Sequence, residues 1–489
     1  MPIRGAWLSR YGLLAFTTGF VLMAFELVAA RLLAPSLGTS IYVWTSVIGV
    51  MIAALAAGYA VGGWLADHRT KPTDIVWLLL LTALAVLSTL AAYHSVLTGV
   101  TAWISDARLQ AVVAATCLFL PTSFILGTIS PYLARLQTQS INTTGRTVAS
   151  LSALNSLGGI TGTFAAGFWL FSWIGSQQTL LLLAILLALA SWLPAPAAQR
   201  KQRLIAGMAA AGLIGLYSLP TTYASSSRQI DTATARYSIV ELDYDGAPIR
   251  GLMMGPGGIQ SATSQWDPNA LALRYTSKIA QLVERLPNRS HILILGGGAF
   301  SLPEYFGRHY PSARIDVVEI DPQLPGIAQA YFDYQPQPGT SVYAADARPF
   351  LQQTTNHYDL VIVDAYSDIW VPFALTTREF TSRLSGILNP GGVVLANIIG
   401  SSSPACAPYV SSLDASYGAA FSQAAVFPVT ATNLGLFQNL IMAYSNAPLD
   451  WAAGDHTAQT FPAAGAVKLT DDFAPVEPLL QRCLAHRHE

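Results

Sequence analysis

Three glycines, Gly296, Gly297 and Gly298, follow the apolar run Ile292–Leu295, and a carboxylate, Glu319, closes a second apolar run roughly twenty residues later. Glycines let a chain turn tightly and approach a bound group closely. A carboxylate at the tip of the next strand accepts hydrogen bonds from ribose hydroxyls. The stretch therefore reads as a βαβ unit that holds a nucleoside. Asp346 and Ala347 follow a third run, Ser341–Ala344, where a carboxylate can accept from an adenine amino group. The same aspartate suits the N-cap of a helix beginning before Pro349, and both readings stand. Gln260, after the turn Gly255–Gly258, can offer its amide to the nucleoside or brace the turn. Asp364 ends the apolar run LVIVD, in the crevice where doubly wound sheets do chemistry. A carboxylate there can take a proton from an attacking amine and steady a nearby positive charge, with structural capping as its rival.

These side chains need a scaffold, and the chain beyond residue 236 supplies one. Strand-like runs recur at Ile292–Leu295, Ile315–Glu319, Ser341–Ala344, Leu360–Val363 and Val393–Ile398, with helical segments at 270–286, 322–332 and 376–388 between them. Strands alternating with helices imply a parallel, doubly wound, Rossmann-like α/β sheet whose ligands sit at the strands' C-terminal ends. Before it, Tyr237–Leu242 and Ile249–Met254 flank Tyr-Asp-Gly-Ala-Pro and read as a small β-hairpin. Residues 221–236 are polar, rich in Ser and Thr, and mark a linker; 237–489 form the nucleoside-binding domain.

Residues 1–220 have a different character. The whole chain of 489 residues is 52% hydrophobic and only 11% charged. Seven apolar stretches are long enough to span a bilayer: about 11–33, 42–66, 75–98, 109–130, 148–173, 177–194 and 204–220. Arg4 and Arg10, Arg69 and Lys71, Arg135 and Arg146, and Arg200, Lys201 and Arg203 occupy alternate loops, so the N-terminus is expected in the cytoplasm. Either the C-terminal domain faces outward after seven spans, or the seventh segment does not cross and the domain stays on the cytoplasmic side. Glu26 and Arg31 in the first span are expected to face the bundle interior and pair, either structurally or along a substrate path. Asp67 and Arg69 read as a loop clamp, and Asn155, Gly158, Gly159 and Gly162 as a close helix contact. A net charge of −1 and no basic tract argue against nucleic-acid binding. Cys117, Cys406 and Cys483 fit neither a metal cluster nor a disulfide framework, and a single Cys406–Cys483 bridge is the minor reading.

GPGGIQSA, ILILGGG, VVEID, the DAR of Asp346, VDAYSD, PFALTTREF and LNPGGV follow one another between about residues 236 and 445. In that order they resemble the spermidine synthase (polyamine aminopropyltransferase) family. The resemblance implies transfer of an aminopropyl group from decarboxylated S-adenosylmethionine to an amine such as putrescine, releasing methylthioadenosine without a metal. It implies Asp364 as the base, Gln260, Gly296–Gly298, Glu319, Asp346 and Ala347 around the nucleoside, and Asp368, Tyr366 and Tyr275 toward the amine. Ala299 stands where the family has an aspartate, and Phe300 where it has glycine. The family's Tyr-His-Glu is replaced by Leu271, Ala272 and Leu273, with Tyr275 nearby but displaced, and its acidic pair becomes Asp364 and Asp368, one residue further apart. Polyamine ammonium groups need carboxylates to replace their hydration, so the nucleoside half is better kept than the amine half. That leaves two alternatives: another S-adenosylmethionine-dependent transfer or lysis, or a non-catalytic nucleoside sensor that gates transport. GYAVGGWLADH at 58–68 resembles part of a major facilitator transporter, at the level of fold analogy. The whole is similar to multi-pass proteins of the bacterial inner membrane that fuse such halves; homo-oligomerisation stays open.

Overall fold

The computed structural model describes residues 9–194 and 227–485 except 39, 70, 105, 139, 141, 142, 256, 257, 367, 453, 454, 456 and 463, and also 208 and 212. The seventh expected span, 204–220, lies outside the described residues apart from those last two positions. The chain divides into two compact units, Met1–Ser225 with Ile230–Arg236, and Ser226–Gln229 with Tyr237–Glu489.

The first unit is helical: α1 (Arg10–Leu37), α2 (Ile41–His68), α3 (Pro72–Trp103), α4 (Ala107–Gln137), α5 (Thr144–Ala165) and, after a π-helical turn, α6 (Phe171–Ala190). Among the described residues, five helical stretches are long and apolar enough to cross a bilayer: Arg10–Leu37, Ile41–His68, Pro72–Trp103, Arg108–Gln137 and Trp173–Ala190. The expected fifth span is not among them, because Thr, Ser, Asn and Gly dilute α5. A Cβ at Gly158 would lie 1.9 Å from the Phe16 carbonyl oxygen, so only glycine lets α5 approach α1 there. Asn155 Nδ2 adds a hydrogen bond to the Ala15 carbonyl, 3.1 Å away. The expected Glu26–Arg31 pair does not form. Arg31 donates instead to the carbonyls of Thr232 (2.5 Å) and Ala233, and lies over the Phe171 ring. Facing pairs on a helix are three or four residues apart, so Glu26 and Arg31 at five do not share a face, while the two carbonyls suit the guanidinium fork. Arg69 pairs with Asp74 at 3.2 Å rather than with Asp67; Tyr132 Oη also donates to Asp74, over 2.6 Å.

The second unit carries a small sheet in the order β1 (Ser227–Asp231), β2 (Arg236–Tyr244), β3 (Ala247–Met253), β4 (Ser261–Ser264). The β2–β3 hairpin turns on Asp245 and Gly246, both with positive φ, the requirement of a type I′ turn. The main sheet comprises β5 (His291–Leu295), β6 (Arg314–Glu319), β7 (Thr340–Ala344), β8 (Tyr358–Val363), β9 (Leu388–Gly400), β10 (Gln423–Pro428) and β11 (Gln438–Ser445), ordered β10-β11-β9-β8-β5-β6-β7. Helices α7 (Arg274–Glu284), α8 (Ser301–His309), α9 (Leu324–Tyr331), α10 (Ala347–Gln353), α11 (Arg378–Gly386), α12 (Ala407–Gly418) and α13 (Val476–Ala485) flank it. Alternation along the central strands feeds two cores. Leu293, Leu295, Val361 and Val363 point into one, and Ile292, Ile294, Leu360 and Ile362 into the other.

Two expectations change. The sheet is mixed rather than parallel, since β11 runs antiparallel to both β9 and β10. The connection 429–437 is too short for the helical crossover that parallel neighbours need. Cys406 and Cys483 are joined across 77 residues, so the minor reading of the cysteines is the one the fold adopts. Packing explains it: the start of α12 and the last turn of α13 bring both side chains into one core.

Candidate active site

The glycine loop is fixed by what surrounds it. Gly296 has φ +103°, and a Cβ there would lie 2.3 Å from the Asp364 carbonyl oxygen. Gly298 has φ +54°, and its Cβ would meet that of Ser261 at 2.8 Å. The loop is thus wedged between the end of β8 and the start of β4, and a side chain at either position would be strained and would collide. Glu319, the last residue of β6, is 7% exposed. Its Oε2 accepts from the Gly297 amide at 2.8 Å and its Oε1 from the Asp321 amide at 2.9 Å. Burial raises the Glu319 carboxyl above the ordinary range, and the backbone donors oppose that rise. Ile320, the next residue, is 56% exposed and puts an aliphatic surface at the strand tip.

Asp346 follows β7 at the neighbouring tip and is exposed. Its carboxylate accepts from the Arg348 amide at 2.7 Å, an N-cap for α10, of which Ala347 is the first residue. The capping alternative is therefore realised, while the side chain stays at the ligand-facing ends of the strands.

Asp364 leaves β8 in the adjacent crevice. Its Oδ1 accepts from Asn397 Nδ2 at 2.9 Å, and its Oδ2 lies 3.0 Å from the Tyr275 hydroxyl. Burial pushes the carboxyl up to about 6, against the pull of those two hydrogen bonds. The same hydroxyl is 2.9 Å from the Gln260 carbonyl, so its single proton serves one acceptor at a time. Tyr275, displaced relative to the family's motif, is thus brought directly onto Asp364 by α7. Tyr366 turns the other way and donates to the Asn397 carbonyl at 2.6 Å.

Gln260 and Asp368, assigned by sequence to opposite halves of the site, are partners. The amide accepts from the Met254 N–H at 2.6 Å and donates to Asp368 Oδ1 at 3.1 Å. Asp368 is buried with a left-handed φ of 62°, tucked against Gly255. Gln260 therefore braces the turn and holds Asp368. Ala299 is buried, and Phe300, also left-handed at φ 61°, packs at a tilt against Tyr334 with ring centroids 4.8 Å apart. Sequence reasoning missed Asn397, Asn439 and Ile320. The signal for Asn397 was an amide inside the apolar run VVLANII. A slot of about 10 Å³ lies between Tyr366, Asn397, Leu413 and Tyr417. A cavity of about 390 Å³, lined by Arg250, Thr263, Glu304, Tyr305 and Arg308, includes none of the candidate side chains.

Strand order and strand-tip carboxylates define a Rossmann-like α/β domain of the methyltransferase type with a mixed sheet. Residues 272–447 match the family model of the spermine/spermidine synthase domain. A polyamine aminopropyltransferase of Vibrio vulnificus is 36% identical over 119 residues, 24% of this chain and 40% of that protein. A putrescine N-methyltransferase of Nicotiana tabacum is 34% identical over 128 residues, 24% of this chain and 34% of that protein. The chain spans well under two thirds of the length of both. Among solved structures, a probable spermidine synthase from Corynebacterium glutamicum overlays with a TM-score of 0.41 at 23% identity, covering 49% of this chain and 95% of that one.

Proposed function

We propose that the second unit is a polyamine aminopropyltransferase-like enzyme that moves a propylamine group from an adenosyl sulfonium donor to an amine. The observation that carries this is Asp364, held by Tyr275 and Asn397 in the crevice beside the glycine loop. The residues present fit an adenosine-bearing donor. Glu319 would accept from the ribose hydroxyls through the lone pairs its two amide donors leave, Ile320 would lie against the base, and Asp346 and Ala347 would meet its edge. The Gly296–Gly298 backbone permits close approach.

In the reaction the acceptor nitrogen forms a bond to the carbon beside S⁺ as the C–S bond breaks, its electrons leaving with neutral methylthioadenosine. The proton lost by nitrogen passes to Asp364. A carboxyl lifted toward 6 is a better match for an amine proton than an ordinary aspartate. Tyr275 can swing its proton from Asp364 to the Gln260 carbonyl while the carboxyl carries the extra one. A thioether leaves readily, so position and exclusion of water are the protein's main tasks.

The test is release of methylthioadenosine by the purified full chain from decarboxylated S-adenosylmethionine and putrescine. Loss of release in Asp364→Asn is the expected result, and no release from the unaltered chain overturns the proposal. A second reading, methyl transfer to an amine from S-adenosylmethionine, is favoured by Ala299, which leaves no carboxylate at that loop position for an aminopropyl ammonium. The putrescine N-methyltransferase relative supports it as well. Methylated amine from S-adenosylmethionine, with no aminopropyl product, would establish it. For localisation, we read the helical unit as a multi-pass membrane domain and place the second unit on the non-cytoplasmic side. The disulfide supports this, since such bonds persist in oxidising compartments. Thiol labelling of surface cysteines introduced into the second unit, from outside intact cells, tests it.

A further inference from the structure

We propose that Asn397, backed by Asn439, is a positioning residue that orients the Asp364 carboxylate for proton transfer; this rests on the aminopropyltransferase reading. Asn397 is 5% exposed and lies on β9, one strand over from β8. An amide buried in the apolar run VVLANII is costly unless its polar atoms are all used, and here they are. Nδ2 donates to Asp364 Oδ1 at 2.9 Å, Oδ1 accepts from Asn439 Nδ2 at 3.0 Å, and the main-chain carbonyl accepts from Tyr366 at 2.6 Å. Asn439 comes from β11, so two neighbouring strands fix the amide plane and settle which end faces Asp364. An amide flipped the other way would set its oxygen against the carboxylate, and the Asn439 donor opposes that.

The geometry has a consequence for charge. The titratable groups facing Asp364 are Tyr275 from α7 and Tyr366 from its own loop, with Tyr409 of α12 beyond Tyr366. Burial raises all three phenols, so they stay neutral across the working range. The groups that favour the ionised form of Asp364 are two neutral donors, Asn397 and Tyr275, rather than a cation. Removing the Asn397 donor should therefore favour the protonated carboxyl, and so delay the appearance of the base as pH rises.

The test uses the full chain in detergent and two readouts. One is the pH dependence of kcat/KM for methylthioadenosine release. The other, independent of turnover, is the infrared band of protonated Asp364, assigned by its absence in Asp364→Asn. In Asn397→Leu both midpoints should move up by about one pH unit, the value of one hydrogen bond to a charged group. Asn439→Leu should move them the same way by about half as much, since it loosens the donor without deleting it. Asn397→Asp should move them furthest, by setting a second carboxylate against the first. Unmoved midpoints in a folded Asn397→Leu protein would overturn the proposal. So would a fall in kcat/KM equal at every pH. Should Asn397→Leu fail to fold, an unmoved infrared midpoint in Asn439→Leu would overturn it equally. A shifted infrared band in a protein without aminopropyl transfer would retain the positioning and remove only the reaction assigned to it.

Discussion

The two sides of the candidate site are held by different kinds of bond. On the nucleoside side Glu319 is gripped by main-chain amides of Gly297 and Asp321, and the loop around it is shaped by backbone contacts. On the reacting side Asp364 is gripped by side chains, Tyr275 from α7 and Asn397 from β9. Main-chain donors survive substitution of the residues that carry them; side-chain donors do not. The reacting side is therefore where single changes should retune chemistry while nucleoside binding persists.

The largest expected effect exploits the scaffold of the reacting side. Cys406 follows the strand that carries Asn397, and its bond to Cys483 closes a loop of 77 residues. On the chain-entropy account, opening such a loop costs about 4.5 kcal/mol of stability. Denaturant unfolding of the full chain with and without reductant should show a loss of that order. Turnover should fail at lower denaturant than methylthioadenosine binding does; joint loss of the two would erase the distinction between the sides.

Next in size, Asp364→Asn should slow aminopropyl transfer by about a thousandfold, within the range of general-base deletions. Methylthioadenosine affinity, followed by calorimetry, should stay nearly constant. In the unaltered protein the active species is the carboxylate, so the rate should be level above the Asp364 pKa of about 6 and fall as pH drops through it. A rate that rises on acidification would give the residue the opposite role. Glu319→Gln should do the reverse of Asp364→Asn, lowering methylthioadenosine affinity by about thirtyfold or more, or roughly 2 kcal/mol for lost charge-assisted bonds. The residual rate at saturating donor should change far less than affinity.

The same division explains what the sequence could tell. Gly296–Gly298 and Glu319 are legible because their spacing along one βαβ unit is their geometry: adjacent parallel strands bring loop and strand tip together. The five parallel strands are readable for the same reason, from apolar runs separated by helices. Asn397 and Tyr275 reach Asp364 from 33 and 89 residues away, and no local pattern encodes such a meeting. The antiparallel β10–β11 pair escapes a sequence reading because its residues give no alternation distinct from the runs before them. Gln260 and Asp368, 108 residues apart, each resemble a ligand when considered alone. Once paired, the Gln260 side-chain amide is committed to the Met254 N–H and to Asp368 Oδ1.

Asp346 lies at the boundary between these cases, and the smallest predicted effect is aimed at it. It is legible as an N-cap and equally as an adenine contact, and its hydrogen bond to the Arg348 amide establishes only the first. Replacement by alanine removes both functions and separates nothing. Replacement by serine keeps an oxygen able to cap α10, so stability should change by less than about 0.5 kcal/mol, since serine and aspartate are near-equal caps. Serine does not keep the negative acceptor. If the carboxylate also receives the adenine amino group, Asp346→Ser should weaken methylthioadenosine binding by about fivefold to tenfold, the worth of one charge-assisted hydrogen bond at an exposed position. The loss should shrink when the ligand carries inosine in place of adenosine, because the partner amino group is then absent. Equal affinity of Asp346→Ser and the unaltered protein for the adenosine ligand would restrict Asp346 to its helix. The nucleoside side would then rest on Glu319 and the glycine backbone.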